Sequence, residues 1–177
     1  MDIFYECLVK KARTVKDNFL TALIIFGAVV LIAALWFIQV LFIFSPLLII
    51  LIGYGAYFLV TSFKTEYEYI LTNGELDIDK IIAQRKRKRL VTLDCKTLTE
   101  MGRIGGSDFS SDRYQTKILA GTGLMENAYY AVFDHKTMGC CLLIFNPDDR
   151  ILSGMLSSMP AVLRTKLSEQ LKSNDDK

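Results

Sequence analysis

The chain has 177 residues and a formal net charge of +2, from 21 Lys and Arg against 19 Asp and Glu. One histidine and four scattered cysteines give no paired zinc-ligand spacing, so no metal site is expected. The apolar half of the composition (51%) is concentrated in one stretch, so the whole-chain average describes neither part of the molecule.

Residues 1–18 read as an amphipathic juxtamembrane segment. Over residues 2–17, Ile3, Phe4, Cys7, Leu8 and Val15 share one side at helical spacing, with Lys10, Lys11, Arg13 and Lys16 elsewhere. Two readings stand. One is a short interfacial helix leading into a membrane pass. The other is a frayed leader whose only task is to set orientation.

From Phe19 to Phe63 there is no Asp, Glu, Lys, Arg or His. Crossing a bilayer takes about 20 apolar residues, and the stretch is divided by Ser45-Pro46 into two runs near that length. The expectation is a two-pass transmembrane hairpin over residues 19–63. A cleaved signal peptide has a much shorter apolar core. Lys and Arg flank both outer ends and are absent between the passes, which places both termini in the cytoplasm of a multi-pass cell-membrane protein. The four cysteines then face a reducing compartment, where a disulfide framework is not expected. A transport pathway normally carries ionisable residues within the membrane, and none occurs here. Gly53 and Gly55 allow close helix approach, read as tight packing within the hairpin, with homo-oligomerisation as the competing use.

After Lys64 the period changes to two. Glu66 to Thr72 alternates charged and aromatic residues, and Asn73-Gly74 supplies a two-residue hairpin turn. The returning strand carries Leu76, Ile78 and Ile82. Further strands are expected through 90–95, 98–104, 115–120, 129–133 and 140–145, with 102–113 as a Gly/Ser/Asp-rich loop. Asn146 then caps a helix with Pro147 in its first turn and Asp148 and Asp149 at its positive end. Pro160 kinks or restarts that helix, and residues 173–177 form a disordered tail.

About seven strands followed by a C-terminal amphipathic helix, over residues 64–172, resembles a PH-like domain. Tyr69-Ile70-Leu71-Thr72-Asn73-Gly74-Glu75-Leu76 resembles the opening of bacterial PH-like domains, and Phe145-Asn146-Pro147 fits their last helix. With two passes ahead of it, the chain is similar to bacterial PH-like membrane proteins and to uncharacterised membrane proteins of Gram-positive bacteria. The resemblance implies an α+β fold, an antiparallel sheet closed by a helix, and a binding or scaffold role with no catalytic residues and no cofactor.

The candidate binding residues are Arg85, Lys86, Arg87, Lys88 and Arg89, five consecutive cations about 20 residues past the membrane exit and between the second and third strands. Each basic side chain near an anionic leaflet gains about 1 kcal/mol. Four readings stand: orientation against anionic lipid, cross-strand pairing with Glu66, Glu68, Asp77 and Asp79, binding to an acidic protein partner, and binding to nucleic acid. The run lacks the interleaved aromatics that stack bases, so nucleic acid is not the expected partner. A structural subunit packing through its hairpin is the alternative role. His135 follows Asp134 in a turn with no marked nucleophile, Cys140-Cys141 reads as strand filler, and the Gly-containing turns lack the Lys-Ser/Thr ending of a phosphate loop.

Overall fold

The computed structural model describes residues 3–37, 43–104, 114, 116–124 and 127–175. Most of the expected loop over 102–113 lies outside these residues. The described elements are β1 (Phe4–Lys10), α1 (Val15–Leu35), α2 (Ser45–Ser62), β2 (Thr65–Thr72), β3 (Glu75–Ile82), β4 (Lys86–Asp94), β5 (Leu98–Arg103), β6 (Thr116–Leu119), β7 (Tyr129–His135), β8 (Gly139–Phe145), α3 (Asp149–Ser158) and α4 (Ala161–Asp175). They divide into a helical unit, Arg13–Thr65 with Ile82–Arg85, and a sheet unit comprising Met1–Ala12, Glu66–Ile81 and Lys86–Lys177.

In the helical unit, α1 and α2 pack against each other. At about 1.5 Å per residue they are roughly 32 and 27 Å long, close to the hydrocarbon thickness of a bilayer. Both are long and apolar enough to cross a membrane. A Cβ built on Gly27, Gly53 or Gly55 meets nothing within 4 Å. The expectation that Gly53 and Gly55 serve tight packing within the hairpin is therefore corrected, because both face open space.

The sheet unit holds two four-stranded sheets, ordered β1-β2-β3-β4 and β5-β7-β8-β6. Strand β6 runs parallel to β8, whereas β5 and β8 flank β7 antiparallel. One core joins Tyr67, Tyr69, Leu71, Leu76 and Ile78 of the first sheet to Ala131, Phe133, Leu143 and Phe145 of the second, closed by Ile151, Met155 and Leu167 of the helices. Tyr69 is fully buried, its ring edge-on to Phe145 with centroids 5.9 Å apart. Its hydroxyl donates to the Ala120 carbonyl and accepts from the Asn146 N–H at 3.3 Å, so one side chain of β2 satisfies two backbone groups beside the second sheet.

The N-terminus also departs from its expected form. The helical reading of residues 2–17 is replaced by β1, antiparallel to β2 in the register Phe4↔Thr72, Cys7↔Tyr69, Lys10↔Glu66. Tyr5, Cys7 and Val9 pack against the core while Phe4 and Leu8 face out, a period of two that overrides the helical pattern. Reciprocal bonds between Ile3 and Asn73, both at 3.0 Å, fix the start of the strand on the expected Asn73-Gly74 turn, whose φ angles are 50° and 91°. The two apolar helices are thus an insertion between two paired strands.

Eight strands are present among the described residues, β1 being the addition to the expected seven. The cap of α3 also shifts. Asp148, not Asn146, accepts the Ile151 N–H at 2.8 Å, and Asn146 instead receives the Thr122 N–H at 2.9 Å. Pro160 separates α3 from α4, as expected.

Candidate functional site

The five-cation run is mostly strand, since β4 begins at Lys86. This corrects its expected position between strands. A run of like charges is tolerated in a strand because alternate side chains leave on opposite faces, and here the two faces meet different surroundings.

On the outer face, Arg87 Nε donates to Asp79 Oδ2 at 2.6 Å and its other arm pairs with Glu68. Arg89 Nη1 reaches Asp77 Oδ1 at 2.6 Å, and its Nε pairs with Asp79. Thr92 closes the group through Asp77 and Arg89. Leu90, Val91 and Leu93 all contact the core, so the alternation slips by one residue in β4, as at a β-bulge. That slip puts Arg87 and Arg89 on the side of Thr92.

Burial and pairing then act in opposite directions on two carboxylates. Burial alone would raise Asp79, which is only 3% exposed, but hydrogen bonds from Arg89 and Arg87 outweigh it and hold the group below its ordinary value. Glu68 is raised, first by burial and next by its hydrogen bond with Glu6, with Arg87 only partly offsetting these. The cross-strand reading therefore accounts for two of the five cations, through Glu68, Asp77 and Asp79.

Arg85 belongs to the helical unit. Its Nη2 donates to Thr61 Oγ1 at 2.8 Å and its guanidinium lies 4.4 Å from the centre of the Phe58 ring. It ends a turn in which Ala83 and Gln84 take φ of 55° and 56°. Left-handed backbone costs a non-glycine residue about 1–2 kcal/mol. The turn is held in that form by the Ala83 N–H to the Lys64 carbonyl at 2.8 Å and the Arg85 N–H to the Ile82 carbonyl at 3.0 Å.

Lys86 and Lys88 are exposed and have no ion pair among the described residues. They are the part of the candidate site still available to a ligand.

Elsewhere the chemistry is quiet. The four cysteines are free thiols. Burial, then Asp94, pushes Cys95 up to about 12, and burial also raises Cys141 and Cys7, so these thiols are poor nucleophiles at neutral pH. His135 accepts the Thr137 N–H on Nδ1 at 3.3 Å within its own turn. Among the described residues no group of three or more His, Cys, Asp or Glu is placed to hold a metal ion.

A family model described as a bacterial PH-like domain (DUF6106) matches residues 1–165, including β1, both apolar helices and α3. Comparison with curated proteins and with solved structures finds no match. With the two four-stranded sheets and C-terminal helices in place, the chain belongs to the bacterial PH-like domain family DUF6106.

Proposed function

We propose that this protein is a non-enzymatic, membrane-tethered PH-like binding or scaffold module, carried in the cell membrane by α1 and α2 with both termini cytoplasmic. PH-like folds host many roles, and the family is consistent with a binding or scaffold module. The observation that carries the reading is the insertion of two membrane-length apolar helices between the paired strands β1 and β2. Strands in register at Lys10 and Glu66 require the chain to leave and re-enter the sheet on one side of a membrane, which an even number of passes satisfies. Lys10, Lys11, Arg13 and Lys16 before α1 and Lys64 after α2 support the cytoplasm as that side. The basic segment Arg85 to Arg89 faces anionic lipid or an acidic partner, with Lys86 and Lys88 supplying the free charge. No nucleic-acid role is proposed.

A second reading is a structural subunit that packs laterally through its hairpin against a membrane partner or a second copy. The open space at Gly53 and Gly55 favours it, because glycines unused inside the hairpin leave α2 approachable from outside.

Labelling with a membrane-impermeant maleimide tests the topology. Ser45→Cys, at the start of α2, is expected to react in intact cells, and Thr137→Cys, between β7 and β8, only after permeabilisation. Thr137→Cys reacting in intact cells would place the sheets outside and overturn the reading.

A further inference from the structure

Strand β1 ends its sheet, and among the described residues it pairs with no strand but β2. The Asn73 N–H donates to the Ile3 carbonyl at 3.0 Å, and backbone groups alternate sides along an antiparallel strand. Tyr5, Cys7 and Val9 therefore turn theirs toward β2, and Phe4, Glu6, Leu8 and Lys10 turn theirs outward. The Ala12 N–H keeps the same phase, donating at 2.7 Å to the Thr122 carbonyl, where the open stretch ends.

The side chains of those outward residues are exposed as well, Phe4 by 60% and Leu8 by 48%. Neither Glu6 nor Lys10 has an ion pair among the described residues. Within its own chain Glu6 instead shares a hydrogen bond with another carboxyl group, that of Glu68. A row of unpaired N–H and C=O groups beside exposed apolar side chains is a template for a further strand.

The residues of β1 indicate which strand fits. For β1 against an antiparallel copy of itself, the longest overlaps are centred on Glu6, Cys7 or Leu8. Centring on Glu6 sets two carboxylates face to face, which is destabilising. Centring on Cys7 sets Glu6 opposite Leu8 and Phe4 opposite Lys10, so no charge meets its opposite. Centring on Leu8 sets Glu6 opposite Lys10 twice, once on each side of a Leu8–Leu8 contact. That register alone matches both charges and covers an exposed leucine, and it is self-complementary, as a two-fold interface requires.

We propose that β1 pairs antiparallel with β1 of a second copy, centred on Leu8, joining two four-stranded sheets into one. This surface belongs to the sheet unit and is separate from the lateral packing of the hairpin considered above.

Mild oxidation of the full chain carrying Leu8→Cys, in isolated membranes, tests the register. Facing hydrogen-bonded residues stand about 5.5 Å apart at Cα, within disulfide reach. Leu8→Cys is expected to give a reducible dimer in roughly tenfold higher yield than Glu6→Cys or the unsubstituted chain, whose Cys7 faces Val9 in this register. Charge is tested in the Leu8→Cys background. Glu6→Lys leaves β1 with cations only and Lys10→Glu leaves it with anions only, so each expressed alone should lose about tenfold in dimer. Coexpressed, the two variants match both charges again and should recover the Leu8→Cys yield as a mixed dimer, which misfolded chains would not do. Dimer formed equally well through Cys7 or Glu6→Cys overturns the register. A Leu8→Cys dimer indifferent to both charge changes assigns the contact to hairpin packing and overturns the strand pairing. No Leu8→Cys dimer leaves the edge to an extended segment of another protein and overturns the second copy as its occupant.

Discussion

Tyr69→Phe is expected to destabilise the sheet unit by about 1–3 kcal/mol, the cost of leaving buried polar groups unpaired. The substitution keeps the ring and its edge-on contact with Phe145, so it isolates the hydroxyl. What is lost is the donor to the carbonyl of the fully buried Ala120 and the acceptor for the part-buried Asn146 N–H. Burial raises the hydroxyl above its ordinary pKa, more than the Asn146 N–H lowers it, so it remains a neutral donor throughout the physiological range. Tyr69→Ala also removes the ring and is expected to cost about 3–5 kcal/mol. Urea unfolding of the reconstituted protein, followed through the tyrosine-rich sheets, gives both values. A Tyr69→Phe midpoint unchanged from the native protein would mean that the two backbone groups find other partners.

Asp79→Asn is expected to lower stability at neutral pH by about 1.5 kcal/mol, the low end for hydrogen bonds to charged groups. The low end applies because Arg87 and Arg89 are about half exposed and rehydrate when released. The pH dependence follows from the direction of the shift. Asp79 titrates lower in the folded protein than its ordinary 3.8. Its stabilisation is therefore full above that value and is lost as pH falls through the folded pKa. The stability difference between the native protein and Asp79→Asn should accordingly shrink as pH drops below about 4. A difference that stays constant into that range would mean that the carboxylate charge is not what the arginines recognise.

The parts of the fold legible in the sequence are those set by nearby residues. Asn73-Gly74 encodes its turn locally, the charge-free stretch encodes helices by composition, and Pro160 ends α3 wherever that helix packs. Strand β1 was not legible, because its partner lies some 60 residues away beyond both helices and its seven residues also fit a helical wheel. Only pairing with β2 decides between the two periods. The misplaced cap has a similar origin. Asn146 and Asp148 are both good capping residues, and tertiary contact of Asn146 with Thr122 leaves the role to Asp148.

The candidate site divides along the same line. Five consecutive cations are plain in the sequence, as are acidic residues able to meet them. Which cations are met depends on the slip in alternation at Leu90-Val91, a feature no local pattern announces. Without that slip, Arg87 and Arg89 would leave β4 on the face that carries Val91 and Leu93 into the core. With it, they are neutralised by Asp77 and Asp79, and Lys86 and Lys88 fall on the side of Leu90.

The central claim is that a membrane hairpin is inserted between two paired strands of one PH-like domain. Phe4→Cys combined with Thr72→Cys tests it directly. Facing residues of an antiparallel pair lie within disulfide reach, and both positions are exposed. Mild oxidation of the double variant in native membranes, followed by proteolysis and mass spectrometry, should recover a peptide pair linked through the two introduced cysteines. No linked pair, from protein that remains embedded in the membrane, would contradict the account.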